Sequence, residues 1–109
     1  MVKAKQRKIA GLIKYSLQEL GIRVATVILF GSRINGNPHK DSDLDIVVLS
    51  KDFARKNIFK KAAMVHGVHR QLVKLLAMPL DLLYYSPSEW EMSNSPVVYA
   101  AKSSGVQFS

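Results

Sequence analysis

Two carboxylates at the mouth of an apolar strand narrow what this chain can become more than any other feature. The run Val24-Ala25-Thr26-Val27-Ile28-Leu29-Phe30 leads straight into Gly31-Ser32. Ten residues later Asp43-Leu44-Asp45 opens a second run that continues Ile46-Val47-Val48-Leu49. Side chains two apart on a strand point the same way, roughly 7 Å apart at the Cα level. Carboxylates at that spacing can reach inward and hold metal ions about 3.5–4 Å apart, as two-metal phosphoryl-transfer sites do. Asp41 shares the parity of Asp43 but falls in the loop. Asp41-Ser42-Asp43 alone would equally suit a solvated strand entry. Asp45 carries more weight, because a carboxylate buried without a partner is expensive and a metal or other cation is expected beside it.

Other residues gather around this pattern. Asp81 interrupts the apolar run Pro79-Leu80-Asp81-Leu82-Leu83, where solvation alone would not favour it. A structural salt bridge to one of the many basic residues is its alternative role. Gly31 lets backbone approach a phosphate closely, and Ser32 offers a hydroxyl and an N–H to phosphate oxygens. Arg33 adds a charged fork that could brace a triphosphate. His66 and His69 stand three apart and share a helix face. With no cysteine or acid in register, they read as surface or partly buried histidines rather than ligands. His39 reads as a solvated loop residue, and Tyr84, Tyr85 and Trp90 as core or edge packing.

The remaining pattern alternates helix and strand. Ile9, Leu12, Ile13, Leu17 and Leu20 recur at three- and four-residue steps, which predicts an amphipathic helix from about Lys5 to Leu20, stopped by Gly21. A strand is expected from about Val24 to Phe30. A loop follows over Asn35-Gly36-Asn37-Pro38-His39-Lys40, then a strand over Leu44–Leu49. One long helix is predicted from about Phe53 to Ala77, capped by Ser50 or Asp52. Phe59, Ala62, Ala63, Leu72, Val73 and Leu76 would form its buried stripe, with Gly67 as a weak point in its middle. Leu80–Tyr85 reads as a third strand. Ser86-Pro87-Ser88-Glu89 has the form of a capping box, and Pro96 to Lys102 of a last helix. The expected fold class is α/β (α+β), a small mixed sheet packed with helices.

Gly31-Ser32, the ten-residue gap and Asp43-x-Asp45 together resemble the signature of the DNA polymerase β-like nucleotidyltransferases. The short chain is most similar to the minimal nucleotidyltransferases of that superfamily. The resemblance implies the polymerase β-like fold, with Asp43, Asp45 and Asp81 as a catalytic and Mg²⁺-binding triad, two ions being expected. Gly31, Ser32 and Arg33 would bind the nucleotide. The family often carries a second arginine two positions after Arg33, where this chain has Asn35. Minimal members commonly serve as antitoxins paired with a HEPN-domain RNase toxin. The implied reaction is therefore transfer of AMP from ATP to a tyrosine of that toxin, with release of pyrophosphate. Two further readings stay open: a non-catalytic module that neutralises a toxin by binding, and an adenylyltransferase for small molecules of the aminoglycoside type.

Composition limits the alternatives. At 109 residues the chain is expected to form one domain over 1–109, with no residues left for an added acceptor domain. It has no cysteine, which removes disulfides and thiolate metal sites. No run approaches the ~18 apolar residues of a membrane span, so a soluble cytoplasmic protein is expected. The formal charge of +8 suits polyanionic partners or solubility alone. The basic residues lack interleaved aromatics, so direct nucleic-acid binding is not favoured. A homo-oligomer remains compatible with the sequence.

Overall fold

The structure, a computed structural model, describes residues 3–35 and 43–109, with Ser32 and Asn35 described in their backbone only. The expected loop with His39 and Asp41 lies outside the described residues. In chain order the elements are helix α1 (Lys3–Gln18), strand β1 (Thr26–Phe30), a short helix α2 (Ser32–Asn35) and strand β2 (Leu44–Leu49). A 3₁₀ turn over Lys51–Phe53 leads to helices α3 (Ile58–Met64) and α4 (Val68–Leu76). Strand β3 (Leu80–Tyr85), helices α5 (Pro87–Met92) and α6 (Pro96–Ser104) and strand β4 (Val106–Phe108) complete it. The strands form one sheet in the order β3-β2-β1-β4. β1 is antiparallel to both β2 and β4, and β2 is parallel to β3. The fold is thus α+β with a mixed sheet, as the pattern predicts.

Both faces of the sheet are covered, which is why β1 and β2 read as continuous apolar runs. On one face Val27, Leu29, Leu44, Ile46 and Val48 pack against Ile9, Ile13 and Leu17 of α1 and Val68 and Leu72 of α4. On the other, Ile28, Phe30, Val47 and Leu49 meet Trp90 of α5 and Val98 and Ala101 of α6. Each large aliphatic side chain withdrawn fully from water contributes on the order of 1.5–3 kcal/mol, and Ile13, Leu17, Ile28, Leu29 and Ile46 are all fully buried. The capping box forms as read. Ser86 Oγ accepts from Glu89 N–H at 3.2 Å, and Glu89 Oε1 accepts from Ser86 N–H at 2.8 Å.

The segment read as one helix from Phe53 to Ala77 is broken into three pieces. Ser50 caps only the 3₁₀ turn, accepting from Asp52 N–H at 3.1 Å. That turn buries Phe53 completely, its ring 5.2 Å from that of Tyr84. The backbone then passes through φ +60° at Arg55, and helix cannot propagate through a left-handed residue. Asn57 restarts it, its side chain accepting from Lys60 N–H at 2.9 Å. A second break falls at Gly67, where φ is +84°. The expected buried stripe is correspondingly wrong at its N-terminal end: Phe59 is 77% exposed, and Ala62 and Ala63 are exposed too. Val65 and Val68 take their place in the core, while Leu72 is buried and Val73 and Leu76 partly so. Leu20 lies past the end of α1 and is 48% exposed rather than part of its stripe.

Two elements carry too short a pattern to be read. α2 spans four residues and β4 three, and β4 gains its place by pairing Val27 with Phe108. Among the described residues no helix is long and apolar enough to cross a membrane.

The break at Gly67 has a measurable sign. In a continuous helix Gly67→Ala would stabilise the protein by roughly 1 kcal/mol. With φ at +84° the same change is expected to destabilise it by about 1–2 kcal/mol, read from urea denaturation midpoints. A gain in stability would mean that the helix runs through.

Candidate active site

Parallel pairing of β2 with β3 sets Asp45 directly opposite Asp81. Adjacent strands lie about 4.8 Å apart, and residues opposite one another project to the same face. Asp45 shares its parity with Val47 and Leu49, and Asp81 with Leu83 and Tyr85, so both carboxylates belong to the face that packs against α5 and α6. They sit at the starts of their strands, however, where the apolar cover gives out. Asp45 is half-buried, and Asp81 and Asp43, the residue just before β2, are exposed. On its other side Asp45 stands opposite Phe30, the last residue of β1.

That position brings the two halves of the sequence pattern into contact. Gly31 follows Phe30 with φ at +98°, a conformation side chains rarely adopt, and a Cβ built on it would collide with Asp45 Oδ2. Gly31 is therefore required twice, by its backbone angle and by the carboxylate lying against it. Its carbonyl accepts from Ile34 N–H at 3.0 Å, so the small-residue turn passes at once into α2. Arg33 is partly buried in α2 and holds an interaction of its own. The Ser32 hydroxyl lies outside what is described.

The electrostatics are those of a cluster of like charges. Burial pushes the carboxyl of Asp45 above the usual range, and the charges of Asp81 and then Asp43 push it further. The two ion pairs found among the described residues, Arg23–Asp52 at 2.7 Å and Lys61–Glu89 at 2.9 Å, involve none of the three. Among the described residues no three acidic, histidine or cysteine side chains converge as a ready metal cage. The donors nevertheless fit a hard divalent cation. Mg²⁺ keeps several waters and takes one or two protein carboxylates together with phosphate oxygens, so a complete protein cage is not needed. Asp45, with the charges of Asp43 and Asp81 beside it, offers such oxygens against the Gly31 turn.

Of the other residues singled out in the sequence, His66, His69, Tyr84 and Tyr85 line a groove whose wall also includes Asp81. His66 and His69 are exposed, and His69 Nε2 sits 2.9 Å from the Leu80 carbonyl as its donor. Tyr84 is partly buried against Phe53, with its hydroxyl pKa pushed up by burial. Trp90 is buried with its ring 6.0 Å from that of Tyr85. Sequence reasoning missed that groove, of about 650 Å³ along the outer edge of β3, lined by Ile58, Lys61 and Ala62 of α3 and by Asp81, Leu82 and Tyr84. No sequence signal marks it, since α3 reads as part of a buried helix.

Comparison with known proteins bears on the family and the fold. The family described as nucleotidyltransferase domain matches residues 10–103. No curated protein matches the chain. Among solved structures, a toxin–antitoxin crystallised with AMP-PNP is similar, with a TM-score of 0.64 and 21% identity over 90% of this chain and 70% of that one. A mutant of the toxin–antitoxin MntA-HpeT gives 0.63 and 19% over the same shares. A putative nucleotidyltransferase from Sulfolobus solfataricus gives 0.57 and 21%, covering 93% of this chain and 79% of that one. At such identities these structures establish the shared fold.

The raised pKa of Asp45 has a consequence for stability. A carboxyl whose folded pKa lies above its unfolded value of about 3.9 costs stability once ionised. That cost is absent below about pH 4 and grows as pH rises through the folded pKa. Asp45→Asn is therefore expected to raise the Tm of the metal-free protein near neutral pH and to leave it unchanged near pH 3. Millimolar Mg²⁺ should raise the Tm of the native protein more than that of the variant. A lower Tm for Asp45→Asn near neutral pH would mean that the carboxylate is compensated within the fold.

Proposed function

Because the chain belongs to the nucleotidyltransferase domain family, we propose that it transfers AMP from ATP to an acceptor hydroxyl, the acceptor being a tyrosine of a partner HEPN-domain toxin. The observation that carries this reading is the register of Asp45 with Asp81 beside the Cβ-free surface of Gly31. Facing carboxylates and a turn that only glycine fits meet at one rim of the sheet. The likeness to a toxin–antitoxin crystallised with AMP-PNP supports both an adenine nucleotide and a toxin partner. The site of action is the cytoplasm, where ATP and such a partner would meet it.

In this reading Asp43, Asp45 and Asp81 hold Mg²⁺, two ions in the full complex, which when bound neutralise the triphosphate and make the acceptor hydroxyl more acidic. Gly31 lets the phosphates approach the backbone, and Ser32 and Arg33 hold the β- and γ-phosphates with hydrogen bonds and charge. This fixes the α-phosphorus for in-line attack. Asp81, the more exposed carboxylate of the facing pair, receives the proton of the acceptor hydroxyl. The acceptor oxygen bonds to the α-phosphorus, the bond from that phosphorus to the bridging oxygen breaks, and pyrophosphate leaves with the bonding electrons.

The test uses ATP labelled at the α-phosphate, Mg²⁺ and the purified protein in lysate of its own host. Label is expected on one distinct protein band, and none from ATP labelled at the γ-phosphate. Asp43→Ala and Asp45→Ala should lower the transfer more than about a hundredfold, beyond the loss that follows removal of an outer-shell partner of a metal site, with circular dichroism unchanged. Unlabelled protein with the native enzyme, or undiminished labelling by the variants, would overturn the reading.

A further inference from the structure

β3 is an edge strand of the sheet, and two carbonyls of its free edge are taken while, among the described residues, the outward groups of Leu82 between them are open. Pro79 and Tyr85 turn their carbonyls inward, accepting from Leu44 N–H at 3.0 Å and Ser50 N–H at 3.1 Å. Backbone groups alternate along a strand, so Leu80, Leu82 and Tyr84 turn their N–H and C=O outward. The Leu80 carbonyl is taken by His69 Nε2 at 2.9 Å and the Tyr84 carbonyl by Lys61 Nζ at 3.0 Å. Lys61 is itself held by both carboxylate oxygens of Glu89, at 2.9 and 3.0 Å. Between these two clasps, the outward N–H and C=O of Leu82 meet no hydrogen-bond partner among the described residues.

The groove between β3 and α3 lies over this opening. Natural sheets normally protect such an edge with proline, charge or a bulge. Here the strand itself carries Leu82-Leu83-Tyr84-Tyr85, and the facing helix presents Ile58, 73% exposed, and Ala62. Outward N–H and C=O groups from one residue match the paired acceptor and donor of one residue in an extended backbone. A nucleobase or sugar does not repeat that spacing. The groove also reaches the carboxylates, because Asp81, next to Leu82, forms part of its wall.

We propose that this edge takes an extended segment of the acceptor protein as an added strand, bonded through Leu82, with the acceptor residue placed opposite Asp81. The proposal rests on the nucleotidyl-transfer reading above and names how its acceptor is held. A residue opposite Leu82 makes the two backbone bonds. Its neighbour in the chain then falls opposite Asp81 and projects to the face that carries Asp81 and Asp45. The hydroxyl is thereby delivered by register. The acceptor tyrosine is expected to lie next to the residue that pairs with Leu82, in a segment that is extended when bound.

The test takes the protein that the native enzyme labels and compares Ala62→Trp, which fills the groove from exposed Ala62, with Ala62→Ser. Ala62→Trp should lower kcat/KM for the acceptor about tenfold or more while the Kd for ATP stays unchanged. Ala62→Ser should stay within about twofold. In the complex with the acceptor and α,β-methylene-ATP, which blocks transfer, hydrogen exchange at the Leu82 amide should slow at least about tenfold. Full activity of Ala62→Trp, or unchanged exchange at Leu82, would overturn the edge proposal and leave nucleotidyl transfer standing. A dimer of the native chain that Ala62→Trp dissolves without affecting transfer would assign the edge to a second copy instead. Absence of any labelled protein would overturn the transfer reading itself.

Discussion

The contact between Gly31 and Asp45 is the constraint on which the rest of the site depends. It exists because β1 and β2 are antiparallel neighbours, so the end of one strand meets the beginning of the other. The register sets Phe30 against Asp45, and the residue after Phe30 must then bend away beneath a carboxylate. Any side chain there would have to displace the acid, while a glycine lets the two occupy the same small volume. The same geometry brings the Gly31 turn and the carboxylate to one rim of the sheet. The turn and the acid are thus placed by one strand pairing rather than by separate devices.

How much of this was legible in the sequence depends on the range of the interaction that decides each element. β2 and β3 were readable at their full lengths, because both lie in apolar runs punctuated by a loop or a proline. The capping box at Ser86 was readable because all its partners lie within four residues. The helix between Phe53 and Ala77 was misread at its start because the break at Arg55 is set from a distance, whereas the break at Gly67 falls on the weak point the sequence shows. Phe53 is drawn under Tyr84, thirty-one positions away in the chain, and once it is buried the backbone must turn at Arg55. Periodicity alone cannot report that cost. The same misreading hid the groove, since residues assigned to a buried stripe cannot also be seen as its open wall.

For the site, the spacing of Asp43 and Asp45 was visible, and Asp81 stood out only as an acid in the wrong company. Its place opposite Asp45 needed the parallel pairing of two strands whose connection runs through α3 and α4. The burial of Asp45 relative to Asp43 was legible from its place inside the apolar run, but the exposure of Asp81 was not. Asp45 is half-withdrawn from water while Asp43 and Asp81 remain in it, and this difference comes from the packing of Val47, Leu49 and Phe30 behind it. Relatives of the same fold at 19–21% identity indicate how far the surrounding residues can drift while the architecture persists.

The crossover from β2 to β3 has a consequence for the order in which the molecule is made. β1 and β2 are joined by a short connection and can pair as soon as both have left the ribosome, bringing Gly31 and Asp45 together early. Asp81 arrives only after α3 and α4 have been synthesised, and contacts between distant parts of a chain form slowly. A nascent chain with the first two acids in place would still lack the third. The three acids can thus share one rim only once β3 has been made, by topology alone.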